Sequence, residues 1–226
     1  RTYMKMNTNK PKINEVRVSK YFSLILRHKA LERGINMSDD GYVLVDDLLA
    51  SNKRLCGNLD IDTIKNLVDS NKKKRFTLKE EEGKYYIKAN QGHSIELKDH
   101  GLKRVTKPYD VCVHGTYPEA WEKIKTGGLN RMGRTHIHFA KGLFGEDHVI
   151  SGMRASANVY IYIDMAKAMK DGVEFYESSN GVILCPGYKI SDGSDGFLGT
   201  HYFSKAIQIK KGKESTLAYQ LHLPKQ

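Results

Sequence analysis

The sequence predicts an α+β protein in two lobes, and three observations carry that reading. Helix-periodic apolar residues recur three times between Val18 and Val68, and two alternating strands follow at 75–89. A lysine-rich polar stretch from Leu97 to Pro108 then changes the character of the chain. Beyond it lie short strands rich in Val, Ile and Tyr with few helices, as expected of a compact sheet-rich unit. The predicted division is a flexible basic arm at 1–14 carrying Lys5, Lys10 and Lys12, a first lobe at 15–96, a linker at 97–108 and a second lobe at 109–226.

The first helix is expected over Val18 to Leu31. At about 100° per residue, Val18, Tyr21, Phe22, Ile25 and Leu26 share one apolar face, and Leu24 and Leu31 form a smaller patch. That second patch is expected to dock the helix against its neighbours, leaving Arg27 and His28 at the edge of a cleft. Asp39-Asp40-Gly41 reads as a turn into a short strand at Tyr42-Val43, and 45–51 as a helix with Leu48 and Leu49 inward. A third helix starts at Asp60 or Asp62, either a plausible N-cap, with Ile61, Ile64, Leu67 and Val68 inward. Strands at Arg75–Leu78 and Tyr85–Ala89 complete the order of a winged-helix module, which serves nucleic-acid binding and protein contacts alike.

In the second lobe, strands are expected at 111–114, 135–140, 159–163, 173–176, 182–184 and 205–209, with one helix at 118–125 anchored by Trp121 and Ile124. In the 135–140 strand, Thr135, Ile137 and Phe139 fall on one face and His136 and His138 on the other, beside Arg134.

The 226 residues carry 37 Lys+Arg against 26 Asp+Glu, a net charge of +11 that favours a polyanionic partner. No apolar run is long enough to span a bilayer, so no membrane association is expected. Cys56, Cys112 and Cys185 are too widely spaced for a disulfide framework or a Cys-x-x-Cys metal site. An intracellular location, cytoplasmic or nuclear, is expected, with a monomer as the default state. The His136-x-His138 pair lacks a nearby carboxylate or thiol to complete a zinc ligand set, so no metal is expected. Neither the Rossmann nor the P-loop glycine pattern is present.

Several short motifs admit a ligand or a plain structural role. In Gln91-Gly92-His93-Ser94, the glycine would let the backbone approach an anion to which His93 and Ser94 donate; a polar strand exit explains the run equally well. His114-Gly115-Thr116 at a strand end is either a ligand grip or a turn. Ser151-Gly152-Met153-Arg154 is a glycine loop able to meet a phosphate or a dinucleotide edge.

Taken in order, Leu24-Ile25-Leu26-Arg27-His28, Lys74-Arg75-Phe76, Ala89–Ser94, His114-Gly115-Thr116, Gly133–His138 and Ile150–Arg154 resemble the tRNA 2'-phosphotransferase family from about Val18 to about Ile209. The resemblance implies a winged-helix RNA lobe joined to an ADP-ribosyltransferase-like lobe that uses NAD. It implies removal of an internal RNA 2'-phosphate, as at the junction of a spliced tRNA. The phosphate attacks C1'' of the nicotinamide ribose and expels nicotinamide. The ribose O2'' then attacks the phosphate, releasing 2'-hydroxyl RNA and ADP-ribose 1'',2''-cyclic phosphate.

The family's catalytic Arg-His-Arg-Arg set carries over onto Arg27, His28, Arg75 and Arg134. Its NAD contacts carry over onto His114, Gly115, Thr116, His136, Ser151, Gly152 and Arg154, and Gln91, Gly92, His93 and Ser94 are assigned to RNA. Ser178-Ser179-Asn180 stands where many ADP-ribosyltransferases carry a catalytic glutamate, with Glu177 upstream; a phosphate nucleophile needs no such base. Lys88 replaces the Arg or uncharged residue of relatives, and 188–194 resembles a surface insertion. Two other activities compete with this one: ADP-ribosyl capping of terminal RNA or DNA phosphates, and nucleic-acid binding by a protein whose transferase lobe is inactive.

Overall fold

A computed structural model describes residues 14–147, 149–189 and 195–219. The basic arm up to residue 13, and 190–194 of the expected insertion, lie outside the described residues.

Asn14 caps α1 (Glu15–Leu24) by accepting from the Arg17 amide, and Val18 and Phe22 enter the core. The helix then widens into a π turn, Ile25–Lys29, closed by an Ala30 N to Ile25 O bond at 2.9 Å. The expected single α-helix over Val18–Leu31 is thus corrected. Ile25 and Leu26 are fully buried, whereas Leu24 and Leu31 are 43% and 60% exposed. No docking patch forms there; the wheel of 100° steps fails once a π turn intervenes.

β1 (Val43–Leu44) leads into α2 (Val45–Ala50), α3 (Lys53–Cys56) and α4 (Ile61–Asp69). Asp60, one of the two expected caps, accepts from the Thr63 amide. β2 (Phe76–Glu81) and β3 (Lys84–Ala89) form a hairpin, and β1 pairs with the other side of β3. One core unites Phe22, Ile25, Leu48, Ile64, Phe76 and Ile87.

The expected linker is pinned at both ends. Leu97 packs on the first core, and β4 (Lys103–Arg104) pairs with β9 (Tyr176–Glu177). β5 (Val113–Thr116), α5 (Pro118–Gly127), β6 (Leu129–Asn130), β7 (Ile137–Phe139), β8 (Val159–Ile163) and α6 (Met165–Lys170) follow. The chain continues through β10 (Ile183–Cys185), β11 (Phe197–Leu198), β12 (Phe203–Lys210) and β13 (Lys213–Thr216). Two four-stranded sheets, ordered β4-β9-β10-β7 and β13-β12-β8-β5, meet at the Val113–Ala140 bridge. Phe139, Ile161, Phe175, Ile183 and Leu198 fill a second core. Every strand pairing among the described residues is antiparallel, and helices and strands alternate in blocks, so the α+β class holds.

Candidate active site

Arg27 and His28 sit on the π turn, and the 92–95 segment clamps them. The Ser94 and Ile95 amides both donate to the Arg27 carbonyl, at 2.9 and 3.2 Å, and Ser94 Oγ lies 2.9 Å from His28 Nδ1. Gly92 has φ +89°, and a Cβ there would stand 3.4–3.5 Å from Nε, Cδ and Cζ of Arg27. Those are ordinary contact distances, so the glycine is called for by its positive φ rather than by the space the guanidinium occupies.

Arg27 Nε is buried without a hydrogen-bond partner. Burial, followed by repulsion from Arg134 and Arg75, pushes the Arg27 pKa down to about 10. Arg134 and Arg75, from two other segments, thus lie close enough to repel Arg27, and no carboxylate pairs with any of the three among the described residues. Such an arrangement is stable only if something anionic shares it.

Arg75 immediately precedes β2. Its Nη1 reaches Asn71 Oδ1 at 3.3 Å, and its carbonyl accepts from the Asn90 amide at 2.9 Å. Asn90 also holds the Lys74 carbonyl at 2.7 Å. From the other lobe, Asn180 Nδ2 donates to the Lys73 carbonyl at 2.9 Å, and Lys73 Nζ answers with a 3.0 Å bond to the Met153 carbonyl.

Arg134 closes a tight turn that Arg131 braces. Arg131 Nη1 donates to the Arg134 carbonyl at 2.8 Å, while Nη2 bonds both oxygens of Asp195 at 2.8 and 2.9 Å. Although the residue as a whole is exposed, crowding around its guanidinium and the nearby Arg154 lower the Arg134 pKa. Thr135 then ties the lobes, its amide donating to the His93 carbonyl at 3.0 Å.

The imidazoles are held neutral. Burial, with His100 second, pushes His93 down to about 3 and His136 to about 4; burial, with Arg134 and Arg27 next, holds His138 well below its ordinary value. His138 Nε2 meets Gln91 Oε1 at 2.7 Å, and the His138 carbonyl meets His114 Nδ1 at 2.9 Å. That bond fixes the proton on His114 Nδ1 and leaves a lone pair on Nε2. His28 is lowered too, by burial and then by Arg27 and Arg134.

Residues 13–187 match the model of the RNA 2'-phosphotransferase, Tpt1 / KptA family. The chain belongs to that family. A tRNA 2'-phosphotransferase 1 of Danio rerio is 43% identical over 202 residues, covering 87% of each chain. That of Homo sapiens is 38% identical over 201 residues, covering 87% of this chain and 77% of the relative. A Schizosaccharomyces pombe relative is 44% identical over 198 residues, 87% of this chain, and this chain spans about half of its length, 52%.

Within this Tpt1 / KptA family chain, several expected ligand contacts have internal work instead. Gln91, half-buried, meets His138 through Oε1, Gly92 is buried beneath Arg27, and His93 is 3% exposed. Ser94 remains exposed. At Gly115 a Cβ would strike Met153 Cβ at 2.9 Å. At Gly152, with φ +115°, it would strike the Phe139 carbonyl at 2.7 Å. Lys88 is turned inward, 4.7 Å from the Tyr42 ring centre and 3.4 Å from the Asp40 carbonyl. Thr116 is buried, whereas Ser151 is half-buried and Arg154 exposed. Glu177 is bound by Tyr109 and by Lys141 at 2.6 Å; burial raises its pKa, but these bonds outweigh it and keep the carboxylate charged.

Sequence reasoning missed Lys73, Asn180, Arg131 and His100. Asn180 is 2% exposed; the sequence singles it out only as part of Ser178-Ser179-Asn180 and gives no sign of its bond to Lys73.

Proposed function

We propose that this chain is an NAD-dependent RNA 2'-phosphotransferase that removes the 2'-phosphate left at a tRNA splice junction. The observation that carries the proposal is the convergence of Arg27, Arg75 and Arg134 without an acidic partner. A phosphate monoester carries up to two negative charges and three acceptor oxygens, the complement of such a cluster. The separate cores on either side of 97–108 support the boundaries 15–96 and 109–226. On this reading the first lobe is a winged-helix unit and the second an ADP-ribosyltransferase-like unit.

The second-lobe wall has donors that suit a dinucleotide. Arg134 and Arg154 lie close enough to interact and together match a pyrophosphate, and His114 presents an imidazole of fixed tautomer. NAD would be held by His114, Thr116, His136, Ser151 and Arg154, and as co-substrate it supplies an electrophilic ribose carbon with nicotinamide as leaving group.

The chain's own groups do the rest. The three guanidiniums orient the 2'-phosphate, which is itself the nucleophile, so no general base is needed first. That suits an acid, Glu177, already committed to Lys141 and Tyr109. In the second step the guanidiniums stabilise charge growing on the phosphoryl oxygens. Ser94 Oγ lies within 3.5 Å of the Arg27 carbonyl; donating there, it accepts from His28 Nδ1–H. His28 Nε2 is then the atom that takes the proton of the ribose O2'' and returns one to the departing RNA 2'-oxygen.

The test is incubation with NAD and an oligonucleotide bearing an internal 2'-phosphate, with products weighed by mass spectrometry. Nicotinamide together with ADP-ribose cyclic phosphate is the expected outcome. Nicotinamide release only with terminal phosphates would favour the capping activity, and no turnover of either would leave a nucleic-acid-binding protein.

A further inference from the structure

A cavity of about 420 Å³ lies between the two lobes, lined among others by His100, His136, Tyr188 and Thr135, the residue after Arg134. The His100 and His136 rings meet edge to face, 5.2 Å apart at 88°. His93 continues the ring series, 5.9 Å from His100. Burial lowers the pKa of His100 and His136, so both rings are neutral near pH 7. On the floor, Arg131 is neutralised by its two bonds to Asp195.

This chemistry does not suit a phosphate. Neutral imidazole edges, the Tyr188 ring with its hydroxyl held by the Gly199 amide, the Arg131–Asp195 pair, and exposed Glu96 and Lys189 of opposite sign leave the lining without net charge, which suits a flat uncharged heterocycle with a polar rim. The size also fits, since pockets for small organic bodies run from about 300 Å³ upward.

Two connections join the cavity to the phosphate clamp. Arg131 donates to the Arg134 carbonyl, and His93, packed on His100, lies among the charges of Arg27 and His28. None of His114, Thr116, Ser151, Gly152 and Arg154 lines it; His136 alone is shared with the wall assigned to NAD.

We infer that this cavity receives the nucleobase of the RNA nucleotide flanking the 2'-phosphate. The inference rests on the proposed 2'-phosphotransferase reading and adds to it a base subsite. Stacking of a base on a side-chain ring contributes about 1–3 kcal/mol, or roughly 5- to 150-fold in binding.

The experiment compares three oligonucleotides with one internal 2'-phosphate: intact, abasic on the 5' side of the phosphate, and abasic on the 3' side. One of the two abasic substrates should raise the RNA KM of the wild-type protein at least 5-fold. His100→Ala should raise KM for the intact substrate and abolish the distinction, with the NAD KM unchanged, and His100→Phe should restore the preference. Turnover indifferent to abasic positions on both sides would overturn the subsite while leaving the activity standing. A rise in NAD KM rather than RNA KM in His100→Ala would overturn it as well, by assigning the cavity to the dinucleotide. Failure of every 2'-phosphorylated substrate would instead remove the activity on which the subsite depends.

Discussion

Asn180 Nδ2 donates to the Lys73 carbonyl at 2.9 Å, so a turn of the second lobe holds the loop from which Arg75 emerges in the first. Ser178 Oγ donates to Asn180 Oδ1 at 2.7 Å and fixes the carboxamide's orientation. Replacing Asn180 by Ala strands the Lys73 carbonyl beneath the lobe junction and should cost about 1–3 kcal/mol of stability. The rate should fall with it because Arg75 loses its support. A denaturant titration beside an activity assay checks both; wild-type activity in Asn180→Ala would show that Arg75 is positioned without the second lobe.

Arg75 and Arg27 should fail differently. Arg27 is the most enclosed of the three and contacts both others electrostatically, whereas the lowering of Arg75 is assigned to burial alone. Arg75→Ala is expected to accumulate ADP-ribosylated phospho-RNA, with the second step slowed at least about 100-fold, as for loss of one transition-state donor. Arg27→Ala should lose both steps. Gel separation of intermediate and product over a time course checks this, and equal loss of both steps in Arg75→Ala would make it a binding residue.

Gly92→Ala should shift the backbone beneath Arg27, because φ +89° is a conformation an alanine rarely adopts; the methyl itself would meet the guanidinium at an ordinary contact distance of 3.4–3.5 Å. The positive φ alone costs about 1 kcal/mol or more in a non-glycine residue. A fall in kcat of about tenfold or more, with an unchanged far-ultraviolet spectrum, is expected.

Two pH dependences follow from the depressed imidazoles. For His93, the folded pKa of about 3 lies below the ordinary 6.5. Above 6.5 neither state binds the proton; below it the unfolded chain does and the folded one does not. Stability should therefore fall by about 1.4 kcal/mol per pH unit from His93 between 6.5 and 3. His28 is lowered as well, so the acid limb of kcat/KM should lie below pH 6.5 and disappear in His28→Ala. Thermal melts and rate profiles from pH 5 to 8 read the two effects separately.

The fold was legible where one period dominated. Val18, Phe22, Ile25 and Leu26 are all buried, as helical spacing indicates, and Ile137 and Phe139 alternate inward on β7. The π turn was not legible, because its i to i+5 bond leaves no mark in apolar spacing; with it went the expected role of Leu24 and Leu31. Short strands such as β4, β6 and β11 escaped because two residues carry no period, and α6 because the six residues of Met165–Lys170 are too few to show a helical one.

At the site, helical spacing alone placed Arg27 and His28 at the edge of a cleft, and the ordered motifs pointed to the family. What neither motif nor composition revealed was the division of labour among polar residues. Gln91, Gly92 and His93 looked like ligand contacts in the sequence because hydrogen-bonding side chains next to a glycine suit both tasks. In the structure they stand at the junction, where Gln91 meets His138 and the His93 carbonyl meets Thr135. Lys73 and Asn180 were invisible for the opposite reason: each acts through a carbonyl more than a hundred residues away in the second case, and eighty in the first.

The central claim is that Arg27, Arg75 and Arg134 form one phosphate clamp. Its most direct test is the affinity of the protein, without NAD, for an oligonucleotide bearing one internal 2'-phosphate against its 2'-hydroxyl twin. Charge-assisted bonds to the phosphate contribute about 1.5–3 kcal/mol each, so the phosphorylated strand should bind at least tenfold tighter. The preference should collapse in Arg27→Ala. Equal affinity of the two strands for the wild-type protein would contradict the account.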